Sequence, residues 1–187
     1  MPGCTQTLSG IERDCNPNRG GVAEVLLAIK DDIASITVTD GVVVAITMGT
    51  GKQFYKYHQA PQVAHLDEEA NIDQAAEARG VTQTLYIQMN RMSTAKRIEF
   101  NALLVNELIG IVKDANGKYW LVGDLDNPLL ASAGASATGT ARTDANNYNT
   151  TLTAQTAESH PEVDADIIAG LLVPYAPPAQ PETTEEH

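Results

Sequence analysis

The stretch Gly110-Ile-Val-Lys-Asp-Ala-Asn-Gly-Lys-Tyr-Trp-Leu-Val-Gly-Asp124, then Ser132-Ala-Gly-Ala-Ser-Ala-Thr-Gly-Thr-Ala-Arg-Thr-Asp144, then Tyr148-Asn-Thr-Thr-Leu-Thr153, decides how this chain reads. Its first part is a hairpin. The turn falls at Asp114-Ala115-Asn116-Gly117, where Asn-Gly supplies the positive φ, and Tyr119, Trp120, Leu121 and Val122 return toward a core. Trp120, the single tryptophan, reads as a core or core-rim anchor. Residues 131–143 are nearly all small, which in a strand implies close approach of another backbone or a sheet edge. Residues 148–155 alternate as a further strand.

Upstream, Ser93 or Thr94 can cap a helix over about residues 93–109. Its apolar positions Ile98, Ala102, Val105 and Ile109, flanked by Leu104 and Leu108, follow the 3.6 period. Gly110 stands where a left-handed C-terminal cap is expected. Residues 81–92 form a long alternating strand, with Leu85, Ile87 and Met89 on a dry face and Thr82, Thr84, Tyr86, Gln88 and Asn90 on a hydrated, uncharged one. Ile36 and Val38, the turn Asp40-Gly41, and Val42, Val44 and Ile46 read as a two-residue type I′ hairpin. Residues 22–30 are an apolar run of strand length. With one strong helix, the chain reads as mainly β (α+β), a helix packed on a sheet or its edge.

Between these signals lies an aperiodic segment, 49–79, too long for an ordinary connector. Its aromatic residues suit an arm that contacts a neighbour, and Phe54, Tyr55, Tyr57, His58, Leu66 and Ile72 are its subunit-interface candidates. The alternative is two ordinary strands, 52–59 and 65–72. Residues 160–173 fit either a strand or a short helix. Residues 1–21 read as an irregular N-terminal arm, 22–173 as the β domain, and 174–187 as an extended tail rich in Pro and Glu.

The 187 residues are 43% apolar, enough for one core. A net charge of −12, from 24 acidic and 12 basic residues, opposes tight phosphate binding, which needs Lys and Arg to displace counterions. It suits a surface past which DNA slides. The N-terminus lacks the basic and apolar regions of a secretory signal, and no apolar run is long enough for a membrane helix, so no membrane insertion is expected. Cys4 and Cys15, the two cysteines, fit a small disulfide loop, half a metal site or two thiols, and free or buried thiols are the favoured reading.

Catalytic patterns fail on inspection. Gly-Thr-Gly-Lys-Gln around Lys52 lacks the first glycine of a phosphate loop, since Ile46 stands there, and Gln53 replaces the magnesium-binding hydroxyl. Asp67, Glu68, Glu69 and Asp73, and also Asp124 and Asp126, lack the spacing of a calcium loop. His58, His65, His160 and His187 stand beside no nucleophile signature. We expect no enzyme, cofactor or metal.

The order of elements, a helix, a hairpin with D-x-x-G at Asp114 to Gly117, a small-residue stretch with G-T-A-x-x-D at Gly139 to Asp144, then a strand, resembles the tail-tube-fold virion proteins of bacteriophages. The likeness spans residues 22–173 and is densest at 112–114, Gly117, 120–123 and 139–144. It implies a β-sandwich or barrel with a flanking helix, assembled in the host cytoplasm into hexameric rings that stack as a virion tail tube. On that reading Thr82, Thr84, Tyr86, Gln88 and Asn90 face the lumen, the partners are further copies and other tail or neck proteins, and DNA is transient cargo. A neck, tail-terminator or ring protein of the same fold is the alternative. A reading of another class is a carbohydrate- or ligand-binding β-sandwich, with Tyr55, Tyr57, Tyr119 and Trp120 as stacking residues.

Overall fold

The computed structural model describes residues 8, 10–13, 15–75 and 78–174. Cys4, His187 and the acidic tail beyond residue 174 lie outside the described residues. In chain order come β1 (Val22–Ile29), β2 (Ile33–Thr39), β3 (Val42–Met48), β4 (Tyr55–His58), β5 (His65–Asp73) and β6 (Ala78–Asn90). Then follow α1 (Thr94–Val105), β7 (Leu108–Asp114), β8 (Tyr119–Val122), β9 (Leu130–Ala137), β10 (Asn147–Thr156), β11 (Glu162–Val163) and α2 (Ala165–Leu171). The fold is mainly β, as expected.

The strands form two sheets. The larger runs β2-β3-β11-β8-β7-β1-β4 and the smaller β5-β6-β10-β9. All pairs are antiparallel except β3 with β11. The central strands β1 and β7 are nearly all apolar because both of their faces are covered. Val25, Leu27, Val112 and Val122 meet Leu85, Ile87 and Leu152 of the smaller sheet in one core. Leu26, Ile109, Ile111 and Leu121, on the opposite face, pack with Phe54, Met48, and Ile168 and Leu171 of α2 in a second. Gly110 sits in the first core with Leu129, Leu27 and Leu85 against it, and a β-carbon there would come within 3.1 Å of Leu129.

Both hairpins turn where the sequence puts them. Asp40 and Gly41 have φ of 52° and 80°, the two positive values a type I′ turn requires. The register slips between Thr37 and Val38, so that Val43 turns into the core and Val38 and Val44 stay exposed, against the simple alternation. At the second turn the Asp114 carboxylate accepts from the Asn116 and Lys118 amides. The small-residue stretch splits into the edge strand β9 and a loop clamped by Asp144, whose Oδ2 accepts from the amides of Thr140 at 2.8 Å and Ala141 at 2.7 Å. These backbone donors hold the Asp144 carboxyl below its ordinary pKa.

Three expectations change. The helix stops at Val105 with Asn106 as its C-cap, not at Gly110, because Leu108 and Ile109 gain burial on both sides as the start of β7. Ser93 does cap its start, accepting from the Lys96 amide. The inward face is also rotated: Leu103 is buried and Phe100 lies 5.0 Å from the Tyr148 ring, whereas Ile98 and Val105 are 59% and 81% exposed. Second, residues 160–173 form both a strand and a helix, so two α-helices exist among the described residues. Third, the segment 49–79 is not a free arm: β4 adds to β1 and β5 to β6, the two-strand alternative.

Candidate functional site

The smaller sheet turns one face into the first core and the other to solvent. Along β6 the alternation holds as read: Leu85 and Ile87 are buried inward, with Met89 packed against the core, while Thr82, Thr84, Tyr86, Gln88 and Asn90 share the opposite face. The facing positions of β10 are Asn149, Thr151, Thr153 and Gln155, and those of β9 include Ala133, Ala135 and Ala137. Across β6 and β10 this outer face is therefore made of hydroxyls and amides without a formal charge.

Its side chains bond one another. Tyr86 donates to Gln88 at 3.3 Å, and the Gln88 amide donates to Asn90 at 2.6 Å. Asn71 donates to the Thr82 hydroxyl at 2.8 Å, and His65 stacks on Tyr86 with ring centroids 5.1 Å apart. The carboxylates sit to one side, where β5 presents Asp67 and Glu69 on the same outer face. On the far side Arg142 lies in the loop after β9, whereas Arg91, whose amide donates to the Asn146 carbonyl, directly follows β6. Among the described residues, both outermost strands, β5 and β9, pair on one side only.

The interface candidates divide. Tyr55 and His58 are exposed on β4, the edge of the larger sheet, and Ile72 is exposed near the end of β5. Phe54 is fully buried in the second core, so its side chain has no free surface for a neighbour. Leu66 leans on the first core. Tyr57 is half-buried and donates to the Glu99 carboxylate of α1; burial, and then that hydrogen bond, push its pKa well above the ordinary tyrosine value. Tyr57 thus ties α1 to the larger sheet.

A buried polar cluster escapes the sequence reading. Gln83, on the inward face of β6, is 1% exposed. Its Oε1 accepts from the Gly123 amide at 2.8 Å and its Nε2 donates to Glu68 at 3.0 Å. Glu68 also accepts from the Ser159 hydroxyl and from the His160 amide at 2.8 Å. The His160 ring nitrogen Nδ1 stands 2.6 Å from the same carboxylate as a close contact without aligned hydrogen-bond geometry. Burial would raise the Glu68 pKa, but these donors outweigh it and hold the carboxyl below its ordinary value. The arrangement stitches β5 and β6 to the loops of the larger sheet. Ser159 and His160 both bond Glu68, and no bond joins them to each other among the described residues.

Trp120 is fixed at the core rim. Its Nε1 donates to Asp114 at 3.1 Å and its ring meets His160 edge-on, with centroids 4.9 Å apart. Beside it opens a groove of about 760 Å³ between the β2–β3 hairpin and the loops around residues 123–126 and 156–162. Among the described residues, no group of three or more His, Cys, Asp or Glu is placed to hold a metal ion, and no helix is long and apolar enough to cross a membrane. Cys15 is an exposed free thiol. The chain matches no protein-family model, no curated protein and no solved structure.

Proposed function

We propose that this protein is a structural subunit of a bacteriophage virion, assembling into hexameric rings that stack into a tail tube for genome passage. The observation that carries the reading is the smaller sheet. It combines an uncharged hydroxyl and amide face with two unpaired edges, β5 and β9, at its opposite ends. Such edges template pairing with another chain. Because the two edges differ, their pairing is head-to-tail, and head-to-tail contacts that close generate rings.

Charge supports the same pairing. The β5 edge carries Asp67 and Glu69, while Arg142 lies in the loop after β9 of a chain that is strongly acidic. Closing the ring would turn the polar face into a continuous inner wall. A wall without cations gives DNA nothing to hold. The exposed Tyr55, His58 and Ile72 remain available for contacts between rings or with other tail proteins. A neck or terminator ring of the same fold shares all of this and differs in whether rings stack.

Negative-stain electron microscopy of the purified protein over a range of concentrations, with masses measured on the same samples, tests the proposal. Rings or tubes with an open channel are expected, and the double change Asp67→Lys and Glu69→Lys should abolish them. A strictly monomeric protein at every concentration would overturn the reading.

A further inference from the structure

We propose that Asn116 is a modification site, deamidating spontaneously through the Gly117 nitrogen at a rate set by whether residues 18–19 of the N-terminal arm are seated against it. This holds for a single chain and does not rest on the ring reading above. Of the asparagines in the sequence, Asn116 alone precedes a glycine. Asn16 and Asn127 precede prolines, whose nitrogens have no proton to lose. Gly117 is exposed with a φ of 90°, and a β-carbon built on it would meet nothing within 4 Å, so no bulk shields its nitrogen. Asn116 is exposed too, in the turn between β7 and β8, where water reaches it. Asparagine in such a place is a thermolabile residue.

Water is the only co-reactant. The Gly117 nitrogen gives up its proton and attacks Asn116 Cγ; the new N–Cγ bond replaces the Cγ–Nδ2 bond, and Nδ2 leaves as ammonia. Water then opens the cyclic imide on either side. Opening at Cγ gives aspartate, and opening at the backbone carbonyl carbon gives isoaspartate, whose main chain runs through the β-carbon and is one atom longer.

Ring closure swings the Asn116 carboxamide toward the following peptide, and in the folded chain the arm holds that carboxamide at both ends. Its Oδ1 accepts from the Arg19 amide at 2.9 Å, and its Nδ2 donates to Asn18 Oδ1 at 3.0 Å. The Ala115 amide, donating to the Gly21 carbonyl at 3.0 Å, keeps the arm beside the turn. The attacking nitrogen is tied within the turn itself, its N–H donating to the Asp114 carbonyl at 3.1 Å. Lifting residues 18–19 therefore frees the amide while the turn stays formed. Chains whose arm has left its seat acquire the mark, and seated chains are spared. The isoaspartate product makes the change permanent, because its extra atom displaces the Gly117 and Lys118 amides from Asp114 and deforms the surface on which the arm sits.

Peptide mapping by mass spectrometry, on the full chain incubated in mildly alkaline buffer, tests this. Conversion at Asn116 is followed in the parent, in Asn18→Ala, which removes the acceptor for Nδ2, and in Arg19→Pro, which removes the donor to Oδ1. Loss of two modest hydrogen bonds should speed conversion about threefold in each variant and about tenfold in the double variant, with the thermal midpoint unchanged. Conversion at Asn90 and Asn149, which lie in strands β6 and β10, should not change. Equal rates at Asn116 in the parent and the double variant would overturn the proposal and leave the Asp114 turn as the guard. Equal acceleration at all three asparagines would overturn it as well, since the whole fold would then have loosened. Two products of equal mass, aspartate and isoaspartate, are expected; aspartate alone would mean direct hydrolysis and would overturn the imide route.

Discussion

Gln83 looks from the sequence like one more polar residue in a polar strand, yet it joins the two sheets at their most hidden point. Replacing it with Ala leaves the Gly123 amide buried without an acceptor, and a loss of about 1–3 kcal/mol in urea unfolding is expected. A change below the error of the measurement would mean that water replaces it. Its partner Glu68 gives the cluster a pH signature. The folded carboxyl is held below its ordinary value, so its stabilising effect is present above that value and disappears as pH falls below about 4.5. Glu68→Gln should therefore flatten the acid limb of thermal stability, and an identical slope in both proteins would exclude Glu68 as a source of it. The cluster was illegible beforehand because its members, Glu68, Gln83, Gly123 and His160, are far apart in the chain. No local period or spacing connects them.

Helix α1 shows what sequence can and cannot say about an element. Its start was legible because Ser93 is a cap, a local device. Its end was not: Leu108 and Ile109 continue the helical period, and only the two-sided burial available in β7 draws them into a strand. The inward face was misread for a similar reason, since Ile98 and Val105 keep good spacing but face solvent. Leu103→Ala should cost about 2–5 kcal/mol, whereas Val105→Lys should stay within about 0.5 kcal/mol of the parent in the same unfolding assay. The reverse ranking would restore the helix face expected from periodicity. Strands β4 and β5 were hidden differently. β5 is an edge strand whose outer face is acidic and whose inner face includes Glu68, so alternation in hydrophobicity is nearly absent. Strand β6, with the core on one side and water on the other, alternates as read from Leu85 to Asn90, and Gln83 is the polar exception on its inner face.

For the whole molecule, the division of labour between the sheets matters most. The central strands β1 and β7 of the larger sheet are covered on both sides and that sheet supplies most of the core, which frees the smaller one to present a polar face of uniform chemistry. In assembled rings, Thr84→Lys with Gln88→Lys should convert that face into one that retains DNA at low salt and releases it as salt rises. Unmodified rings should retain none, and equal retention by both would remove the face from the channel. The larger sheet has its own peculiarity. Among the described residues, hairpin β2–β3 pairs with the rest of that sheet through β11 alone, where Glu162 and Val163 lie between β3 and β8 and the neighbouring Asp164 amide donates to Val43 at 3.0 Å. A ribosome making this chain thus releases the hairpin long before its anchoring seam. The first hairpin must wait, tethered but without its sheet neighbour, until residues 162–164 have emerged, so a contact made early in the chain is completed by one made much later.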